Sequence, residues 1–155
     1  MNKQVLNLEE LFPIIEEVIS SGGEFRLFPR GVSMLPLLRQ GTDSVVLVSP
    51  TQVVENDMVL YKRDSGQFVL HRVVKIKNGE YIMCGDNQTE LEYGIGERNF
   101  LAKVSYFYHG NEKITPENKE YQKYIKSLPK RRRNRKIKER LVGIKNKLFG
   151  KKANK

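Results

Sequence analysis

"FVLHRVVKIKNGEYIMCGDN", residues 68–87, consists of two runs rich in β-branched and aromatic residues with Asn78-Gly79 between them. A two-residue hairpin turn of the favoured type needs positive φ at both central positions, and Asn-Gly adopts that conformation with least strain. The stretch therefore predicts two antiparallel strands, Phe68–Ile76 and Tyr81–Cys84. Working outward, Phe25–Phe28, Ser44–Val48, Met58–Lys62 and Phe100–Tyr108 have the same Val, Ile, Phe and Tyr enrichment, and Asp64-Ser65-Gly66 marks a second hairpin. Strand–helix–strand alternation, which parallel pairing requires, does not occur. The expected body is a small, mainly β, antiparallel domain over residues 25–110.

Helical patterns flank it. Leu8, Leu11, Phe12, Ile15, Val18 and Ile19 recur at helical spacing. Asn7 with Glu10 forms a capping-box pattern, and Gly22-Gly23 supplies a stop. Pro13 inside this pattern predicts a kink or a restart in an N-terminal helical element over residues 1–24. Beyond Gly110, Thr115-Pro116 has the form of a helix start. Tyr121, Tyr124, Ile125 and Leu128 give that helix an apolar side, and Pro129 is expected to break it. Residues 111–155 thus form a helical, strongly basic tail.

Charge is divided as sharply as structure. The chain of 155 residues carries a formal net charge of +10, yet residues 130–155 hold 13 Lys/Arg against the single acid Glu139. The first 129 residues then hold 15 Lys/Arg against 17 Asp/Glu, so the body is slightly acidic. One cysteine, Cys84, excludes an internal disulfide framework and a cysteine-based metal cluster. No apolar run approaches the roughly 18 residues of a membrane span, and the polar Asn2–Asn7 stretch lacks the pattern of an export signal. The expectation is a cytoplasmic protein. No zinc, calcium or phosphate-loop pattern is present, so no metal or cofactor is implied.

Three residues draw chemical attention: Ser33 in "GVSMLP", His71 in "LHRVV" and Asp86 in "CGDNQ". A serine hydroxyl is a poor nucleophile near neutral pH unless a base removes its proton. An imidazole with an ordinary pKa of roughly 6.5 suits that task, and a carboxylate can orient the ring. His71 and His109 are the only histidines, so the choice of base is narrow. On residue physics alone a histidine in a strand is more often structural than catalytic.

The order and spacing of "GVSMLP", "GTDSVVL", "NDMVLYKR", "VLHRVV" and "CGDNQ", over roughly residues 25–108, resemble the type I signal peptidase superfamily, which includes the LexA-type self-cleaving repressors. Ser33-Met34-Leu35-Pro36 resembles the family's serine box. His71-Arg72-Val73 and Gly85-Asp86-Asn87 resemble the endoplasmic-reticulum and archaeal branch, where histidine replaces the lysine base. The resemblance implies Ser33 as nucleophile, His71 as general base and Asp86 as supporting acid, in a serine endopeptidase acting on a peptide leader or specific protein. Gly31 stands where the family commonly has a second serine that assists the oxyanion hole. A further aspartate of that branch finds only Glu90 or Glu92 here. Signal peptidases of secreted proteins carry an N-terminal membrane anchor and the repressors a helix-turn-helix, neither of which this sequence displays.

Two other function classes stay open: a non-enzymatic peptide- or membrane-docking module of the same fold, and a nucleic-acid-associated regulator related to the repressors. The tail likewise has three readings: a solvated charge run, a basic amphipathic helix on an anionic membrane, or a nonspecific nucleic-acid contact. The stripe Ile137, Leu141, Ile144 and Leu148 favours a membrane or a partner protein over nucleic acid. Asp43 and Asp57 fit turns before strands, and Cys84 fits a buried thiol. Nothing in the sequence sets the oligomeric state.

Overall fold

The computed structural model describes residues 7–150, and the readings made on residues 1–6 and 151–155 lie outside them. Helix α1 (Leu8–Ser20) leads into β1 (Phe25–Leu27), β2 (Ser44–Val48), β3 (Met58–Lys62), β4 (Phe68–Lys77), β5 (Glu80–Cys84), β6 (Glu92–Ile95), β7 (Phe100–His109) and β8 (Glu112–Ile114). Helix α2 (Lys119–Phe149) follows. The eight strands form one sheet in the order β1-β2-β7-β3-β4-β5-β6, with β8 added to β7, and every pairing is antiparallel. The protein is mainly β, with a helix before the sheet and another after it.

The Asn78-Gly79 hairpin forms as its chemistry requires, with φ of 52° and 76° at the two central residues. Strand β3 is apolar at consecutive positions because both of its faces are covered. Met58 and Leu60 join one core with Ile15, Leu38, Leu47 and Phe107, whereas Val59 and Tyr61 join a second with Val73, Met83 and Phe100. This is the continuous apolar run expected of a strand buried on both sides. The first core includes α1, whose Asn7–Glu10 capping box is present in both directions at 2.8 and 2.9 Å.

Helix α1 runs on through Pro13, so of the two outcomes expected there the restart does not occur. Three further expectations are corrected. Helix α2 does not start at Thr115-Pro116: Ile114 is still paired with Phe107, and the cap is Asn118, whose side chain accepts the Tyr121 N–H at 3.0 Å. Nor does Pro129 end it. One missing N–H costs a single helical bond, and the helix is anchored on both sides of the proline by buried Leu128 and by Arg135, which donates to the Asp86 carbonyl at 2.9 Å. Finally, β8 extends the sheet past residue 110, so the body runs to Ile114.

Candidate functional site

Strand β4 presents two adjacent polar residues to opposite sides of the sheet, because side chains alternate along a strand. His71 pairs with Val59 across β3 and takes the second core's side; Arg72 pairs with Met58 and takes the first core's side. The same register pairs Tyr61 with Val69, which makes Tyr61 and His71 diagonal neighbours on one face.

His71 is 5% exposed, and its Nδ1 lies 3.3 Å from the Tyr61 hydroxyl. That hydroxyl donates to Glu92 Oε2 at 2.7 Å. Arg63, at the start of the β3–β4 turn, closes on the same carboxylate through Nε at 2.7 Å and Nη2 at 2.8 Å. Burial pushes the imidazole pKa down to about 4, helped by the Arg63 charge and opposed by Glu92 and Asp86. Arg63 in turn holds the Glu92 carboxyl below its usual range. Burial, then the bond to Glu92, raises the Tyr61 phenol well above its ordinary value. At neutral pH the group is a neutral imidazole, a neutral phenol and a carboxylate neutralised by a guanidinium.

Ser33 sits in an irregular turn at residues 31–38 whose ends are fixed from outside. The Gly31 N–H donates to Gln40 Oε1 at 2.7 Å, and buried Met34, Leu37 and Leu38 root the turn in the first core. Its exposed side is tied to the loop after β5: the Asn87 N–H donates to the Ser33 carbonyl at 2.8 Å, and Asn87 Nδ2 to the Val32 carbonyl at 3.0 Å. A Cβ at Gly85 would lie 2.6 Å from that Ser33 carbonyl, so the position requires glycine for close backbone approach. The Gly85-Asp86-Asn87 box is thus the seat of the serine turn.

Asp86 does not meet His71. Its Oδ1 accepts Arg72 Nε at 2.8 Å; its Oδ2 accepts Arg72 Nη2 at 2.7 Å and the Tyr124 hydroxyl at 3.0 Å. Arg72 Nη1 donates to the Asn56 carbonyl at 2.6 Å and to the Tyr121 hydroxyl at 3.0 Å. This buried pair joins β4, the loop carrying the Gly-Asp-Asn box and helix α2. Of the two acids weighed as a further carboxylate, Glu90 is exposed, and Glu92 is the one connected to His71.

Ser33 and His71 line one cleft of about 270 Å³, along with Arg30, Met34 and Gln88. No direct hydrogen bond joins them among the described residues. A second recess of about 510 Å³ is also lined by His71, together with Thr89, Glu92 and Glu139 of α2. His109 is remote from this chemistry, with Nδ1 3.1 Å from buried Asp43, which also accepts from Arg39. Cys84 is buried, its thiol faces the Glu90 carbonyl at 3.2 Å, and burial raises its pKa. Sequence reasoning missed Tyr61 and Arg63. Within "NDMVLYKR" the tyrosine reads as core and the arginine as surface, and no local pattern links them to a residue some thirty positions later.

Comparison with protein-family models, with curated proteins and with solved structures finds no match for this chain.

Proposed function

We propose that the chain is a signal-peptidase-like serine endopeptidase that cuts a peptide leader or a specific protein. The observation that carries this reading is the shared cleft, in which Ser33 faces the same space as a buried histidine kept neutral at pH 7. His71 Nε2 takes the Ser33 hydroxyl proton as Oγ attacks the scissile carbonyl carbon, and the carbonyl oxygen becomes an oxyanion. The intermediate collapses as His71 returns the proton to the leaving amine. Water, deprotonated by the same nitrogen, then hydrolyses the acyl-serine. The Ser33 N–H is one candidate donor to the oxyanion. Asp86 serves this reaction at a distance, by holding the loop on which the serine turn rests.

The test is proteome-wide mapping of new N-termini in cells with wild-type protein and with Ser33→Ala. Termini that depend on Ser33 support the assignment. Identical termini in both, from a variant of unchanged stability, favour a docking module of the same fold.

For the tail we propose a peripheral position on the cytoplasmic face of an anionic membrane. No helix among the described residues is long and apolar enough to cross a membrane. The end of α2 nevertheless exposes Ile137, Leu141, Ile144 and Leu148 on one face, each at least half accessible, amid lysine and arginine. Such a face suits shallow insertion, with basic residues near an anionic surface adding on the order of 1 kcal/mol each. Co-sedimentation with anionic vesicles, reduced by salt and reduced further by Leu141→Ser with Leu148→Ser, supports this. Retention by nucleic acid without vesicle binding favours the regulator reading.

A further inference from the structure

We infer that Tyr61 is a positioning residue: its hydroxyl stands between Glu92 and His71 and fixes which ring nitrogen of the histidine carries the proton. The inference rests on the peptidase reading for its consequence, but not for its geometry. A phenol has one hydrogen to give. At 2.7 Å from Glu92 Oε2 and 3.3 Å from His71 Nδ1, it gives that hydrogen to the carboxylate. Glu92 is ionised and acts only as an acceptor, so the bond cannot run the other way. The Tyr61 oxygen is then left with lone pairs toward the ring, and Nδ1 must be the protonated nitrogen. Nε2 is left bare, which is the form a general base needs.

The charges that act on the imidazole through space fit this arrangement. Arg63 comes from the β3–β4 turn, Glu92 from β6 and Asp86 from the loop after β5. Asp86 is bound to Arg72 by two hydrogen bonds, and Arg63 is bound to Glu92 in the same way. Neither carboxylate touches the ring. Tyr61 is the polar side chain in hydrogen-bond contact with Nδ1, buried and held edge-on to the imidazole. A carboxylate in direct contact would stabilise an imidazolium; the interposed neutral phenol transmits orientation while leaving the ring uncharged.

The experiment is nitrogen-15 NMR of the two histidines in the full chain at neutral pH, with His109→Gln to separate their signals. The wild type should show His71 protonated at Nδ1 and bare at Nε2. Tyr61→Phe removes one oxygen from a buried ring and should return His71 to the Nε2-protonated form that free neutral imidazole prefers. Glu92→Leu should give the same reversal with Tyr61 in place, because the freed hydroxyl then donates to Nδ1. A wild-type ring bare at Nδ1, or a tautomer unchanged in both variants, overturns the inference. With a substrate in hand, Tyr61→Phe should lower kcat by about 100-fold or more, on the scale of general-base catalysis, while KM moves little. The NMR readout needs no substrate: loss of the peptidase reading with the tautomer pattern intact would leave Tyr61's role standing. Ser33-dependent cleavage with an indifferent tautomer would remove that role alone.

Discussion

Arg72–Asp86–Tyr124 and Arg63–Glu92–Tyr61 are built from the same three kinds of side chain, a guanidinium, a carboxylate and a phenol. They differ in exposure and in what they touch. The first pair is sealed, with side-chain exposures of 1% and 0%, and joins β4, the serine-turn loop and α2. The second is half open, at 31% and 24%, and its phenol ends on a histidine beside a cleft. Charges sealed from water have no solvent to fall back on, so the closed cluster holds structure together. Charges that keep part of their hydration can be perturbed without unfolding the protein. On the peptidase reading, the two clusters divide one set of chemical groups by burial into scaffold and site.

Removing the carboxylates one at a time should expose that division. Asp86→Ala leaves the Arg72 charge buried without its partner and should cost about 3–5 kcal/mol, measured as a lower midpoint in urea. A loss below 1 kcal/mol would mean that the pair is not sealed in solution. Gly85→Ala should follow at up to about 3 kcal/mol, because the added methyl meets the Ser33 carbonyl at 2.6 Å. On the peptidase reading, its loss of cleavage should exceed what that destabilisation explains, since the serine turn itself is displaced. Normal activity from a folded Gly85→Ala protein would detach the box from the site.

Much of this fold was legible because its signals are local. Asn78-Gly79 and Asp64-Ser65-Gly66 each supply the backbone conformation that a hairpin needs, and the apolar run at Met58–Tyr61 marks a doubly covered strand. Strands β6 and β8 escaped because "EYGI" and "EKI" carry too few apolar residues to register; pairing with β5 and β7 makes them strands. Ser33 and His71 were both visible, and the cleft brings them together. Asp86 was visible too, but its partner is decided by the alternation of β4, which turns Arg72 toward it and His71 away. Tyr61 was hidden for the opposite reason. Its burial is an ordinary strand pattern, and its contacts with His71 and Glu92 depend on a register between β3 and β4 and on a strand, β6, that the sequence does not announce.

The open cluster should respond to pH. The folded pKa of His71 is lowered to about 4, below an unfolded value of roughly 6.5. Between those values the unfolded chain binds a proton that the native ring refuses, so stability falls as pH drops through this window and is fully present above it. From pH 7 to pH 5 the His71 contribution should decline by about 2 kcal/mol. Urea midpoints at the two pH values, compared with those of His71→Phe, isolate this share from the carboxylates. On the peptidase reading, the acid limb of cleavage should lie correspondingly nearer pH 4 than 6.5. A limb at an unshifted histidine value would mean that the ring is wetter than its 5% exposure indicates.

Glu92→Gln should have the smallest effect on stability, within about 1 kcal/mol, since its pair with Arg63 keeps much of its solvent. Its effect on the histidine is more telling. Glutamine retains an oxygen to accept the Tyr61 hydroxyl, so the tautomer should persist, in contrast to Glu92→Leu. What is lost is negative charge. Glu92 is one of the groups raising the His71 pKa, and it neutralises Arg63, which lowers that pKa. Both changes act in the same direction, so His71 should titrate at a still lower pH in Glu92→Gln than in the wild type. Arg63→Met should move it upward. These opposite displacements, followed by NMR titration of the ring, test whether the open cluster tunes a base as the closed one holds a fold. Identical titration in both variants would reduce the second cluster to an ordinary surface ion pair.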